Sequence, residues 1–226
     1  MKDVKTAIVI FAYSAEFEAM AKPFLHSKEI FTSLNQRTLK VAQKSKLPYF
    51  LFTENEQIGT SFGERFTNAM QSVYDLGYES LIVIGNDTPQ LTCSQLKIAS
   101  LKLAQNKNVL GSSQDGGFYL LGIKKEHFNA KLFLKLPWQT QKLSICLSKL
   151  FAANKVPIFY LKKLLDIDNF SDIRKIINQF KKVYTFLFQL LLRINYKAKA
   201  YFINFCEILP TLLLSNSYNK GSPIFI

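Results

Sequence analysis

The sequence predicts an α/β protein, a three-layer α/β/α sandwich around a mixed, mostly parallel sheet. Three observations carry this. Short apolar runs alternate with segments of helical periodicity from residue 7 to about residue 180, the order that a parallel sheet with helices on both faces requires. The runs are continuous rather than alternating, as in Leu81-Ile82-Val83-Ile84, so both faces of those strands are expected to be buried. Finally, Asp115-Gly116-Gly117 separates two apolar runs with the chemistry of a tight turn, which makes one strand reverse.

Taken in chain order, strands are expected over residues 7–12, 49–53, 81–84, 108–111, 117–123 and 157–161, and helices over 15–20, 30–44, 62–76, 94–105, 141–153 and 172–180. Two helix starts carry reciprocal caps, Ser61 with Glu64 and Thr92 with Gln95. In each, a hydroxyl takes an orphan N–H and the residue three places on answers the cap's own N–H. Gly77 stops the 62–76 helix, since glycine accepts the left-handed angles of a helix end. Pro89 prevents the 81–84 strand from continuing, because it removes a donor and restricts Thr88. The sequence shows no internal repeat or low-complexity tract.

With 226 residues, the chain is long enough for one full core. Residues 1–180 are read as that domain, and residues 181–226 as a basic, apolar extension that forms helices and packs on it. Residues 184–192 and 201–214 are strongly apolar, but Arg193, Lys197, Lys199, Glu207 and Pro210 interrupt them. Neither stretch reaches the roughly 18–20 apolar residues of a bilayer span. The alternative is peripheral contact of the extension with an anionic membrane. The formal net charge of +13 suits acidic partners. No helix-turn-helix, zinc-finger spacing or RNA-binding aromatic signature accompanies it, so nucleic acid is not expected as a partner. Three scattered cysteines, Cys93, Cys146 and Cys206, form no disulfide framework and fit a reducing cytoplasm. His26 and His127 lack neighbours at metal-ligand spacing, which argues against a zinc site or a His-based triad. The apolar run near the start, residues 7–12, is too short for a signal-peptide core.

Two turns draw the chemistry together. Gly85-Asn86-Asp87-Thr88-Pro89 puts Asp87 at the carboxyl end of a central strand, the edge where open α/β sheets bind ligands. A carboxylate there can hold a hard cation against phosphate oxygens; its bland counterpart is an ordinary strand-to-helix turn. Asp115-Gly116-Gly117 sets a second carboxylate beside bare backbone that a sugar or phosphate can approach closely.

These stretches resemble the bacterial nucleotide-diphospho-sugar transferase-like proteins with a glycosyltransferase-A fold, the group that includes arsenosugar-biosynthesis glycosyltransferases. The family pattern is met at Gly85 to Pro89, at Asp115 to Leu120, at Trp138-Gln139-Thr140 and at Asp166-Ile167-Asp168. Gly59 to Arg65 with Asn68-Ala69 resembles a family helix start. The likeness spans about residues 5 to 178, and five motifs in order are more specific than any one. One departure is plain. Where many members carry a basic Gly-x-x-Lys-Thr-Arg-Leu loop after the first strand, this chain has Tyr13-Ser14-Ala15-Glu16-Phe17-Glu18, with Lys22 the only nearby cation downstream.

The resemblance implies a transferase using a nucleotide-activated sugar and an acceptor not legible from the sequence, assisted by Mg or Mn. Nucleotidyl transfer on the same fold, or a non-catalytic binding protein that keeps it, are the alternatives. It implies Asp87 and Asp168 as metal ligands and Asp115 as the catalytic group on the sugar or acceptor hydroxyl. Asp87, Gly116, Gly117, Arg65, Trp138 and Thr140 are the implied nucleotide-sugar contacts. Competing readings stand beside these: helix capping for Asp166 and Asp168, a core position for Trp138 and solvent exposure for Arg65.

Overall fold

A computed structural model describes residues 5–24 and 26–179. The chain runs β1 (Thr6–Phe11), α1 (Ala15–Ala21), α2 (Ser27–Ser45), β2 (Tyr49–Phe52), α3 (Phe62–Asp75), β3 (Ser80–Ile84), α4 (Cys93–Ala104), β4 (Asn108–Ser112) and β5 (Phe118–Lys124). It then continues through α5 (Ala130–Leu134), α6 (Leu143–Ala153), β6 (Ile158–Tyr160) and α7 (Phe170–Gln179). The strands form one sheet in the order β2-β1-β3-β5-β4-β6. β1 pairs in parallel with β2 and β3, and β4 in parallel with β6. β5 runs against both its neighbours. The sheet is thus mixed and mostly parallel, and the reversed strand is the one that follows Asp-Gly-Gly.

Side-chain alternation along the strands divides the core in two. Ala7, Val9, Leu81, Val83, Leu121 and Ile123 face α3, α5 and α6, where Phe66, Met70, Tyr74, Phe133, Leu147 and Phe151 pack. Ile8, Ile10, Ile82, Ile84, Val109 and Leu120 face α2 and α4, meeting Val41, Ala42, Leu96, Ala99 and Leu103. Burial on both faces explains why these strands read as unbroken apolar runs. A third cluster joins Ala15 of α1, Ile30, Phe31 and Leu34 of α2, Leu165 and Ile167 after β6, and Ile173 and Ile176 of α7. This cluster positions the site, because it ties the segment after β6 to the segment after β1.

Local signals hold where they are expected. Both reciprocal caps form, at Ser61 with Glu64 and at Thr92 with Gln95, and Gly77 takes a positive φ of 90° after α3. Boundaries shift where the sequence is weakly punctuated: α2 begins at Ser27 rather than residue 30, α6 begins at Leu143 rather than 141, and the five-residue α5 has no counterpart among the expected helices. Among the described residues, no helix is long and apolar enough to cross a membrane. The expected extension over residues 181–226 lies outside the described residues.

Candidate functional site

β1, β3 and β4 end at one edge of the sheet, and β5 begins there because it is reversed. Between the segments beyond these ends lies a cleft of about 380 Å³. Tyr13, Asp87, Asp115 and Gly117 line it from the strand ends, and Asp166 and Asp168 from the segment after β6. The last two flank an anchored residue. In Asp166-Ile167-Asp168 the middle residue is fully buried in the third cluster, and its N–H donates to the Asp87 carbonyl at 2.9 Å. The two flanking residues, Asp166 and Asp168, line the cleft.

At the centre of the acidic side sits Lys22, directly after α1. Its ammonium is 2.7 Å from Asp168 Oδ1 and 3.1 Å from Asp87 Oδ2, donates to the Ile167 carbonyl at 3.3 Å, and stands 3.9 Å from Glu18 Oε2 one turn back. Burial works against its charge, but Asp87, Glu18 and Asp168 outweigh that and hold its pKa above the usual lysine value. Glu18 faces inward from α1; burial pushes its carboxyl up to about 7, against the pull of Lys22. Asp166 is pushed up to about 8, first by burial and then by the charge of Asp87, while the Thr88 hydroxyl that donates to it opposes the shift. The cleft therefore contains a carboxyl group that holds its proton near neutral pH, the property a proton-transfer group needs.

The helix-capping reading of Asp166 and Asp168 is replaced by another arrangement. Asn169 caps α7, its Oδ1 accepting from Ser171 N at 2.9 Å and Asp172 N at 3.3 Å. Asp172 reaches back to the N–H groups of Asp168 and Asn169, which leaves the Asp168 carboxylate to Lys22.

Asp115 is exposed, with Oδ1 accepting from Gly117 N at 2.9 Å. Gly116 is needed for a different reason than open approach by a ligand. Its φ is +95°, and a Cβ there would lie 2.0 Å from the Gln141 carbonyl oxygen. Its own carbonyl accepts from both the N–H and the hydroxyl of Ser144, so it fastens the turn to α6. Gly116→Ala is expected to lose roughly 1–3 kcal/mol of stability, from backbone strain and a clash with main chain that cannot rotate away. Urea unfolding checks this, and an unchanged midpoint would contradict the close packing.

Gly116 does not line the cleft, and two further residues expected at the site are placed elsewhere. Arg65 does not line the cleft: its guanidinium donates to the Tyr13 hydroxyl at 3.3 Å and the Thr60 carbonyl at 3.4 Å, so it braces a wall residue from behind. Thr140 is exposed, and its hydroxyl donates to the Pro137 carbonyl at 2.7 Å, holding the turn after Trp138. Trp138 itself is both a packed residue and a cleft residue. Its indole N–H donates to the Phe133 carbonyl at 2.8 Å, it packs at 4.7 Å from the Phe66 ring and 5.5 Å from the Phe62 ring, and with Phe118 these rings form an apolar wall of the cleft.

Sequence reasoning does not find Lys22, Glu18, Gln57 or the Phe62–Phe66–Phe118 wall as parts of the site. Gln57 also lines the cleft. Its amide nitrogen donates to the Phe52 and Ala12 carbonyls, and its Oε1 has no donor among the described residues. The Glu18–Lys22 spacing of four is the one signal for the ion pair; the other contacts join distant segments.

Asp87 and Asp168 have the oxygen chemistry a divalent cation prefers. The place between them is filled by the Lys22 ammonium, and among the described residues no group of three or more Asp, Glu, His or Cys side chains is placed to hold a metal ion. In this arrangement the donor set does not fit a resident Mg or Mn ion.

Comparison with known proteins agrees with the architecture. A crystal structure from Desulfovibrio desulfuricans G20, provisionally named a nucleotide-diphospho-sugar transferase, is 20% identical, with a TM-score of 0.73 over 85% of this chain and 96% of that one. Rv0371c from Mycobacterium tuberculosis H37Rv, in complex with manganese, is 11% identical, with a TM-score of 0.48 over 77% and 99% of the two chains, too remote a likeness to carry an argument. No curated protein matches the chain. A family model described as "Uncharacterized protein conserved in bacteria (DUF2064)" matches residues 21–140, more than half of the chain and including Lys22, Asp87, Asp115 and Trp138. The chain is a member of that family.

Proposed function

We propose that the protein is a transferase acting on a nucleotide-activated sugar. The observation that carries this is the two-sided cleft at the carboxyl edge of the sheet. One side offers four aspartates and an ammonium to a hydroxylated, phosphate-bearing ligand; the other offers Phe62, Phe66, Phe118 and Trp138, on which a ring can stack. The fold shared with the Desulfovibrio protein is consistent with this reading.

In this proposal Asp115, exposed at the cleft mouth, takes the proton of the acceptor hydroxyl. Asp166, neutral at pH 7, holds a proton inside. Lys22 is the cation nearest the phosphates. Mg or Mn bound between Asp87 and Asp168 would require Lys22 to move away. Nucleotidyl transfer remains the second reading, because the same cleft serves attack on either phosphorus or the sugar carbon. A nucleotide substrate, the free thiols Cys93 and Cys146 and the absence of any nucleic-acid motif fit a cytoplasmic enzyme of small molecules.

Trp138 is the only tryptophan, so its fluorescence reports on the cleft directly. Titration with nucleoside diphosphates and their sugar conjugates is expected to change that emission and to raise the thermal midpoint. Release of a nucleoside diphosphate marks glycosyl transfer, and release of pyrophosphate marks nucleotidyl transfer. A full panel that moves neither emission nor midpoint would remove the proposal. Asp115→Asn is expected to lower turnover by roughly 10²-fold or more while nucleotide binding persists, as for loss of a general base.

A further inference from the structure

We infer that Lys22 is the resident cation of this cleft, standing between Asp87 and Asp168 where a divalent ion would bind, so that the pair takes up no free Mn²⁺ or Mg²⁺. The metal part of this inference concerns the chain alone; its consequence for ligands rests on the nucleotide reading above.

An ammonium has three N–H donors and no more. Those of Lys22 have three acceptors at hand: Asp168 Oδ1 at 2.7 Å, Asp87 Oδ2 at 3.1 Å and the Ile167 carbonyl at 3.3 Å. The Phe31 ring centroid lies 5.3 Å from Nζ, close enough to favour a cation. The placement is built from several directions. Ser14 caps α1, the Ile30–Phe31–Ile167 cluster fixes the segment after β6 against α1 and α2, and the Lys22 N–H returns to the Glu18 carbonyl. The stem is thus held at its base as well as its tip. Lys22 is also the only cation among the described residues that line the cleft. To enter, a divalent ion would have to break both close ion pairs of a half-buried ammonium and leave it only the Ile167 carbonyl and the more distant Glu18 carboxylate, which is unfavourable. A phosphate-bearing ligand meets a lighter obstacle. It need only compete with Asp168, whose side chain is 47% exposed, to reach an ammonium already in place. Nucleotide binding should therefore proceed without added metal.

The test begins with metal alone. Mn²⁺ is titrated into the full chain and followed by electron paramagnetic resonance and thermal midpoint, with wild type, Lys22→Met, and Lys22→Met combined with Asp168→Asn. The expected result is no specific site in wild type, one site in Lys22→Met bound at least roughly tenfold more tightly than any wild-type signal, the opened carboxylate pair being a hard-cation site, and loss of that site in the double variant. A wild-type Mn²⁺ site that Asp168→Asn removes overturns the inference, as does a folded Lys22→Met that gains none. Should Lys22→Met fail to fold, the wild-type titration and Lys22→Arg, which keeps the charge and should also exclude Mn²⁺, still decide. Nucleotide shifts measured in chelator and in Mn²⁺ are then compared in wild type, and equal shifts are expected. A requirement for Mn²⁺ there overturns the ligand half. Because the metal titrations contain no nucleotide, failure of the nucleotide proposal leaves their outcome intact.

Discussion

Gly63→Ala is expected to destabilise the protein by roughly 1–3 kcal/mol, the usual cost of overpacking a filled interior, and to shift the emission of Trp138. Gly63 is buried in the first turn of α3, and a Cβ there would stand 2.5 Å from Trp138 Cδ1 and 2.7 Å from Nε1. The indole cannot yield freely, since its N–H is spent on the Phe133 carbonyl and its ring packs at a tilt against Phe66. Relief requires the ring to tilt into the cleft or that hydrogen bond to break, and either changes the polarity around the indole. Gly77→Ala makes a useful contrast. It has nothing within 4 Å of the added methyl, and its only strain is a φ of +90°, so it should cost about 1–2 kcal/mol through the backbone alone and leave the emission unchanged. Identical emission from the two variants would show that Gly63 is not the seat of Trp138.

Stability is expected to fall as pH rises from about 6 to 9, and Asp166→Asn is expected to remove most of that slope. A group whose folded pKa lies above its unfolded value binds its proton more tightly in the native state. Its contribution is whole below the unfolded pKa and is lost as pH rises through the folded one. For Asp166 the window runs from 3.8 to about 8, and for Glu18 from 4.5 to about 7. His127 runs the other way, because burial lowers its pKa, but its contribution is complete once the pH exceeds the ordinary 6.5. Above pH 7 the decline therefore belongs mainly to Asp166. A tenfold difference in proton affinity between the folded and unfolded chain is worth about 1.4 kcal/mol. Because Asp166 borders a cleft open to water, a net loss of roughly 2–4 kcal/mol is the reasonable expectation. Urea midpoints at half-unit pH intervals measure it. Wild-type stability that is level or rising between pH 7 and 9 would refute the raised pKa, and an unchanged slope in Asp166→Asn would assign it to another group.

Much of the fold was legible because its signals are local. The apolar runs that became β1, β3 and β5, the caps at Ser61 and Thr92 and the stop at Gly77 depend on residues within a turn or two of each other. So does the reversal at Asp115-Gly116-Gly117, and with it the meeting of Asp87 and Asp115 at one cleft. That much the sequence determined by itself, since backbone sterics, capping geometry and side-chain period need no distant partner. The short α5 escaped because five residues carry too little periodicity to register.

The tertiary structure decided which side chains meet within that frame. Lys22, in sequence a solitary cation beside a missing loop, takes Asp87 from 65 residues away and Asp168 from the segment after β6. Arg65 turns from the cleft to brace Tyr13, and Thr140 closes a turn. Asn169, not either aspartate of Asp166-Ile167-Asp168, caps α7. The proton on Asp166 has the same origin. Its two causes, loss of water and the nearby charge of Asp87, exist only when chain segments distant in sequence are packed together, because desolvation and Coulomb energy depend on spatial neighbours and not on sequence order.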